Sequence, residues 1–460
     1  MFTLTGKYGT AVIMIDDVEK ECISQIVEFL NHPAFTNQVA IMPDTHSGKG
    51  SVIGFTMPMT DKIIPNTIGV DINCGMKSMK LGATTFEDEC GYITSEKDKD
   101  VVALIDRPTL DRSIRSAVPF GTEVHTKSQI NMERDFPWKL ATELNRKFVM
   151  AFNAKFNTDM KVTAYSYKWF ESKCKQIGMN VERAVLSLGT LGGGNHFIEV
   201  GRAQSDGSIW ITIHTGSRQF GKCICEYWQN EPIRRKKEEN QKKLRESMEE
   251  IKKTHIGKDI SNAIAKLKHE LNMDENKGAR SELSYLTGED MQGYLTDMLF
   301  TSVYADVNRS IISNIIRIIL DVQVVDMIET THNFIDFNDF IIRKGAISAY
   351  KGQRCLIPFN MEDGILVCEG KSNPDWNYSA PHGAGRVMSR AKAKVQFSSE
   401  VSADRMKDKD IYTSAVPVDE VKEAYKDPKI IEDAIGPTVD IIDRLIPIMN
   451  LKDGKTEGED

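Results

Sequence analysis

The chain has 460 residues, about 40% of them hydrophobic, so it can bury a large core. Its 59 Lys plus Arg stand against 66 Asp plus Glu, a formal charge of -7, which excludes a uniformly basic nucleic-acid coat and leaves only a local patch for such contacts. Eight cysteines without paired framework spacing suit a reducing compartment and thiols free to act as ligands.

The first residues, MFTLTGKYGTAVIMIDD, lack the basic start, apolar stretch and small-residue cleavage site of a secretory signal, which predicts a cytoplasmic protein. From Met1 to about Gly221, short apolar runs such as VAIMP, SVIGFTMPM, AVLSL and SIWITIH alternate with glycine-rich turns and predict a sheet-rich half. Between about Glu226 and Gly278 the texture changes to IRRKKEENQKKLRESMEEIKK and SNAIAKLKHELN, dense in helix formers. Leu244, Met248 and Ile251 share one helical face, as do Ile264, Leu267 and Leu271, so this segment reads as a solvated helical hairpin with a narrow apolar seam. Acidic residues interleaved with the basic ones weigh against an RNA-gripping arm. The helical pattern continues from Ser281. Its most apolar stretch, Ser310 to Ile328, carries Asn314, Arg317, Asp321, Gln323 and Asp326, which rules out a membrane span and predicts a buried helix followed by a strand. After His332 short strands and glycine turns return, and the chain closes on a helix-then-strand run and a frayed GKTEGED tail. With no internal repeat and no Pro/Gly/Ser linker, residues 1–460 read as one α+β domain with a helical excursion at 226–278.

The nine histidines divide by context. His32, His255 and His269 lie in helical or helix-edge surroundings. His46, His125, His196, His214, His332 and His382 stand beside glycine, small polar residues or asparagine at the ends of apolar runs, where backbones approach ligands. In IGVDINCGM, Asp71 and Cys74 are three residues apart after such a run, so one turn can aim both side chains at one point. A carboxylate and a thiolate together suit a borderline divalent metal better than magnesium or calcium. LGGGNHFIEV adds His196, ITIHTGSR adds His214 and ETTHNFID adds His332. Three imidazoles, a carboxylate and a thiolate exceed one four-coordinate structural site, whereas a two-metal site with Cys74 bridging uses all five. A structural zinc cluster more typically shows paired CxxC spacings, which are missing, so the set points to catalysis.

PHGAGRVMSR differs in kind: His382 precedes Gly383, Ala384 and Gly385, with Arg386 and Arg390 following. A bare backbone there can approach phosphate oxygens while guanidinium groups supply charge, and the histidine can act as base or as nucleophile toward phosphorus.

Together these residues resemble the RtcB family of GTP-dependent RNA ligases. MPDTHSGKG, IGVDINCGM, VPFG, LGTLGGGNHFIEV, IHTGSRQFG, YADVNR, THNFID, RKGA, PHGAGRVMSR and IPIMNLKDG follow the family's order along nearly the whole chain. The resemblance implies an α+β fold of sheets and helices around a central pocket with two manganese ions, a GTP cofactor and RNA ends as substrate. By motif it implies Asp71 and His196 on one metal, His214 and His332 on the other, and Cys74 shared. It makes His382 the guanylylated residue, sets Asn195 on the nucleotide phosphates, Glu199 and Lys452 on guanine, and the Gly383 to Arg386 stretch near phosphate and ribose. The chain has IPFNMEDG where many members carry a Gly-Ser pair after Ile-Pro, which brings Phe359 and Asn360 to the nucleotide.

The implied reaction joins RNA 3'-phosphate or 2',3'-cyclic phosphate ends to 5'-hydroxyl ends, in tRNA splicing or RNA repair, with an archease-like activator as a possible helper. Two other readings compete: a two-metal phosphoesterase acting on RNA 3' ends, and a noncatalytic RNA-end-binding module.

Overall fold

Seven antiparallel strands from distant parts of the chain form the main sheet of the computed structural model, which describes residues 1–82, 85–87, 92–97, 100–277 and 281–454. In spatial order they are Val324–Thr331, Gly75–Leu81, Ile209–Thr215, Phe197–Ala203, Val439–Leu451, Ile365–Gly370 and Arg354–Pro358. Strand alternation gives this sheet two apolar faces. Met79, Leu81, Ile198, Val200, Ile211 and Ile213 pack under Ile312, Ile316 and Leu320 of the helix Gly288–Leu320. The opposite face carries Met76, Phe197, Trp210, Ile328 and Leu445, and the side chains in step with them, Glu199 and His214, share that face. The two edge strands also meet. Arg354 binds Asp326 through two hydrogen bonds of 2.5 and 2.7 Å, and Leu356 N donates to Thr330 Oγ1 at 3.0 Å, so the sheet curls toward closure around its second face.

A six-stranded sheet lies beside it, in the order Phe2–Thr5, Thr10–Ile13, Val39–His46, Ile53–Pro58, Ile341–Lys344 and Phe334–Ile335. Only its Thr10–Ile13 and Val39–His46 pair is parallel. Its apolar side joins Phe29, Phe35, Phe55, Phe148, Phe152 and Phe300 in the largest buried cluster.

The expected helix and strand across Ser310 to Ile328 are the end of Gly288–Leu320 and the start of Val324–Thr331. The closing helix-then-strand run is Pro428–Ile435 and Val439–Leu451. The frayed-tail expectation concerns residues mostly outside the described ones. The sheet-rich expectation fails between residues 107 and 186, which fold into the helices Arg107–Ala117, Met132–Asp135, Trp138–Phe156, Tyr167–Gln176 and Val181–Leu186. Buried Ala141, Asn145, Phe148, Val149 and Phe152 recur at helical spacing. Side chains of Asp106, Asn131, Ser166 and Asn180 accept hydrogen bonds from the first turns of four of these helices. The run AVLSL, read as a strand, instead closes the helix Val181–Leu186.

Two helices, Arg218–Thr254 and Lys258–Lys277, form the charged excursion. The chain reverses through Gly257 at φ +64. The first helix starts eight residues before the expected Glu226, because Phe220, Ile224, Cys225 and Trp228 bury its first turns in the main core. Further out, Leu244, Met248, Ile251, Ile264 and Leu267 are half-buried, and the Leu271 side chain lies outside the described ones. Among the described residues no helix is long and apolar enough to cross a membrane.

Candidate functional site

Antiparallel pairing gathers the ligand candidates at one end of the main sheet. Gly75 pairs with both Thr215 and Thr331, and His214 pairs with Phe197, so strand starts and strand ends alternate along that rim. Cys74 and His196 each precede a strand, His332 follows one, and His214 is the penultimate residue of another. The backbone ties them further: His332 N donates to Cys74 O at 2.8 Å, and Cys74 N to Asp71 O at 3.2 Å. Cys74 Sγ lies 3.4 Å from His196 Nε2 and 3.4 Å from His214 Nε2, while His196 Nε2 lies 2.8 Å from Asp71 Oδ2. Two donor sets result, Asp71, Cys74 and His196 in one and Cys74, His214 and His332 in the other.

Neighbouring groups hold this rim in place. The Ser217 amide donates to Asp71 Oδ1 at 2.8 Å, and a Cβ on Gly216 would stand 2.2 Å from that oxygen, so the carboxylate approaches where only glycine leaves room. Arg309, 2% exposed, donates to Asn73 O at 2.7 Å and Thr215 O at 2.9 Å, linking the Cys74 turn to the His214 strand.

The electrostatics fit cation binding. Burial would raise the Asp71 pKa, but the hydrogen bond and charge of His196, with Arg218 nearby, hold it well below the usual carboxylate range. Burial and the Asp71 charge push the Cys74 thiol well above its usual range, so a thiolate here needs a cation beside it. Burial and neighbouring positive groups push His214 and His332 far below the usual imidazole range, which keeps both neutral. The Nδ1 atoms of these two histidines have no hydrogen-bond partner among the described residues. Ionised carboxylate, neutral imidazoles and a thiol awaiting a cation make a donor set for borderline divalent metals.

A cavity of about 440 Å³ opens beside the rim, lined in part by Asn195, Glu199, His214, His332, Asn360 and His382. The His332 and His382 rings stand 4.7 Å apart between centroids. His382 Nδ1 sits 2.7 Å from Asp44 Oδ2, and Asp44 is fully buried. A carboxylate only accepts, so Nδ1 carries a proton, and in the neutral ring Nε2 keeps the lone pair. Gly383, Ala384 and Gly385 also line the cavity. A Cβ on Gly385 would lie 2.2 Å from Asp44 O, which explains glycine where this loop presses on the Asp44 strand.

At the other end, Glu199 Oε2 accepts from Asn450 Nδ2 at 2.7 Å while Glu199 Oε1 has no hydrogen-bond partner among the described residues. Lys452 Nζ donates to Glu420 Oε2 at 2.6 Å. Asn360 lines the cavity but caps its own turn, accepting from the amides of Glu362 at 2.9 Å and Asp363 at 3.1 Å. Arg386, 9% exposed, turns its donors to Met388 O, Asp419 O, Glu420 and Tyr425, so its guanidinium is part of the cavity wall.

Burial raises the Glu199 pKa to about 8, against the hydrogen bond from Asn450 and the charge of Lys452. From the ordinary carboxyl value of 4.5 up to about 8, folded Glu199 keeps a proton that the unfolded chain releases. Its contribution to stability therefore falls as pH rises through that window. Urea midpoints at about pH 5 and about pH 8 should fall further apart in the wild type than in Glu199→Gln. Equal differences would show that Glu199 does not titrate in this way.

All the site residues expected from sequence meet at this rim or line this cavity, and His46 joins them. His125 does not: it is 8% exposed, with Nε2 3.0 Å from Gly189 O and Nδ1 3.1 Å from Gln129 Nε2. Sequence reasoning did not single out Asp44, Arg309, Glu420 or Asn450. Asp44, Arg309 and Asn450 stand inside segments already noted, MPDTHSGKG, YADVNR and IPIMNLKDG; Glu420 carries no local signal.

The description of the tRNA-splicing ligase RtcB family matches residues 25–453. The chain is 28% identical over 455 residues to the RNA-splicing ligase RtcB of Escherichia coli (strain K12), covering 95% of each chain. It is 24% identical over 475 residues to the tRNA-splicing ligase RtcB of Archaeoglobus fulgidus, covering 89% of this chain and 86% of that one. Against the tRNA-splicing ligase RtcB of Methanococcus maripaludis the identity is 23% over 476 residues, covering 90% and 87%. With the family match spanning the strands, turns and loops that build the rim and the cavity, the chain belongs to the RtcB family.

Proposed function

We propose that the protein is an RNA ligase that joins RNA 3'-phosphate or 2',3'-cyclic phosphate ends to 5'-hydroxyl ends through a guanylylated His382. The observation that carries this reading is His382 itself, its Nδ1 held on buried Asp44 and its ring beside His332 in a cavity of about 440 Å³. A phosphoesterase reading accounts for the donor sets and would use that histidine as a base, but it gives no task to Glu199 and Lys452 in the same cavity.

Asp71 and His196 would hold one cation, His214 and His332 the other, with Cys74 shared, and the resemblance makes the ion manganese. Such cations neutralise phosphate charge where Coulomb repulsion otherwise keeps a nucleophile away. Asp44 fixes the His382 tautomer and stabilises the positive charge that grows on the ring as Nε2 attacks the α-phosphorus of GTP. An N–P bond forms as pyrophosphate leaves. An RNA 3'-phosphate oxygen then takes the GMP, breaking that bond, and a 5'-hydroxyl displaces GMP to close the phosphodiester. A cyclic end is first opened by hydrolysis. Asn195 would meet the phosphates, and Glu199 with Lys452 the guanine edge, with Asn360 and the Gly383 to Arg386 loop closing the cavity around the nucleotide.

Rejoining in tRNA splicing or RNA repair, in the cytoplasm and with an archease-like activator, completes the proposal. Incubation with labelled GTP and manganese should leave acid-labile GMP on the protein. Label that stays free under conditions where RNA 3' ends lose phosphate would favour the phosphoesterase.

We read the helical pair within 226–278 as an insertion that tunes RNA choice or partner docking, since none of its described residues is a ligand candidate or lines the cavity. Replacing Ile233 to Lys277 by a short flexible linker should leave GMP attachment within about threefold of wild type, because the buried first turns remain. A soluble, folded linker variant that takes no GMP would show that the pair helps to build the site.

A further inference from the structure

The nucleotide cavity contains a buried carboxylate that neither the donor sets nor the histidine chemistry uses. Glu420 ends the short turn Val418–Glu420 and is 2% exposed. Its Oε2 accepts from Lys452 Nζ at 2.6 Å and from the Tyr425 hydroxyl at 2.6 Å. Its Oε1 accepts from Arg390 Nη1 at 2.5 Å and, more weakly, from Arg386 Nη1 at 3.4 Å. Asp419, 4% exposed, takes the same Arg390 nitrogen at 2.7 Å.

The cations gathered on this anion face different parts of the site. Lys452 lies over the Phe197 ring at 5.5 Å and lowers the pKa of Glu199, so it belongs to the proposed base end. Arg390 lines both the nucleotide cavity and the neighbouring groove that contains Asp71, Asn195 and His196, so it belongs to the phosphate and metal end. An ammonium has three donors and a guanidinium five. Glu420 and Asp419 occupy few of them, which leaves the others for a ligand.

Resting on the reading that this cavity takes GTP, we propose that Glu420 is its positioning residue, a single buried anion that holds Lys452 for the base and Arg390 for the phosphates. Base choice and phosphate capture then depend on one side chain. Without the Glu420 charge, Arg390 keeps only Asp419 and buried Lys452 loses its carboxylate partner, which is costly, and a carboxamide in place of the carboxylate offers an N–H group to neighbours that are themselves donors. Burial draws the Lys452 pKa down while Glu420 opposes it. Burial would likewise raise the Glu420 pKa, yet Lys452 and Arg390 bring it to about 2.

The test compares wild type, Glu420→Gln, Glu420→Asp, Lys452→Met and the Glu420→Gln/Lys452→Met double variant, each checked for folding by circular dichroism. Labelling with GTP and with ATP in manganese gives KM and kcat for GMP or AMP attachment. Glu420→Gln should raise KM for GTP on the order of tenfold to a hundredfold, with kcat at saturation within about threefold, since His382 and Asp44 are untouched. Glu420→Asp should recover part of the loss. The GTP-over-ATP preference of the double variant should equal that of Lys452→Met alone, because both changes remove one coupled unit.

A merely structural role would lower the folded fraction and kcat together and leave KM in place. Folded Glu420→Gln with KM within about twofold of wild type, or losses of preference that multiply in the double variant, would overturn the proposal. If Glu420→Gln does not fold, Glu420→Asp decides in the same way: an unchanged KM and preference overturn the assignment. Failure of wild type to attach GMP would instead remove the GTP reading. Calorimetric titration of His382→Ala, with and without Glu420→Gln, then still measures whether Glu420 governs nucleotide binding.

Discussion

His382→Ala is expected to abolish GMP attachment and ligation from GTP, a loss on the order of a thousandfold or more, while the metal content stays at the wild-type level. Nε2 is the free nitrogen of a ring whose other nitrogen is committed to the Asp44 carboxylate; of the other cavity histidines, His46 turns Nδ1 to the Asp44 carbonyl oxygen at 3.0 Å instead, and His214 and His332 face Cys74 or its donor set. Loss of the ring also leaves buried Asp44 without its Nδ1 partner, so a modest fall in thermal midpoint should accompany the loss of activity. The variant should still seal RNA that already carries a 3'-terminal guanylyl group, because that step begins after the N–P bond has been used. Mass analysis of the protein after incubation with GTP and manganese decides the matter. A GMP adduct on His382→Ala would move the nucleophile to another residue.

Cys74→Ala should be the most damaging single change among the metal-ligand candidates, since both donor sets contain Cys74. Losing a group that only orients a ligand typically costs 10–100-fold in metal affinity, so loss of a shared ligand should cost on the order of a hundredfold or more. The fold should survive. Cys74 holds its place through backbone bonds, His332 N to Cys74 O and Cys74 N to Asp71 O, which alanine keeps. His196→Ala should be milder for metal content, because it leaves the Cys74, His214 and His332 set complete. Equilibrium dialysis against manganese and cobalt, with the thiolate-to-cobalt absorption band as a second readout, measures both variants. Full guanylylation by Cys74→Ala in manganese would sink the shared-thiolate assignment.

The sequence was informative where chemistry is rare and local. Asp71 and Cys74 three residues apart, and histidines ending apolar runs, are visible because few other roles demand those residue types at strand ends. The charged hairpin and the helix across Ser310 to Leu320 were legible from long runs of helix formers and helical spacing. The segment 107–186 was misread because its apolar runs span only a few residues, over which strand and helix periodicity cannot be told apart. The capping side chains of Asp106, Asn131, Ser166 and Asn180 were the available signal.

By itself, then, the sequence determined the α+β class, five metal-ligand candidates and a histidine beside a bare backbone loop; its resemblance named the family. Which groups touch was decided only by the tertiary structure. Asp44 and His382 are far apart in the chain, and nothing near either residue announces a hydrogen bond of 2.7 Å. Glu420 is one acid among 66, set apart only by Lys452 and Arg390 closing on it from other segments and by Tyr425 turning back onto it. Arg386, expected near phosphate and ribose, lines the cavity with its guanidinium turned to Glu420 and Asp419, an orientation no local pattern gives. The reason is physical: a side chain's chemistry is local, whereas its charge state and free donors depend on burial and on partners that long-range packing supplies.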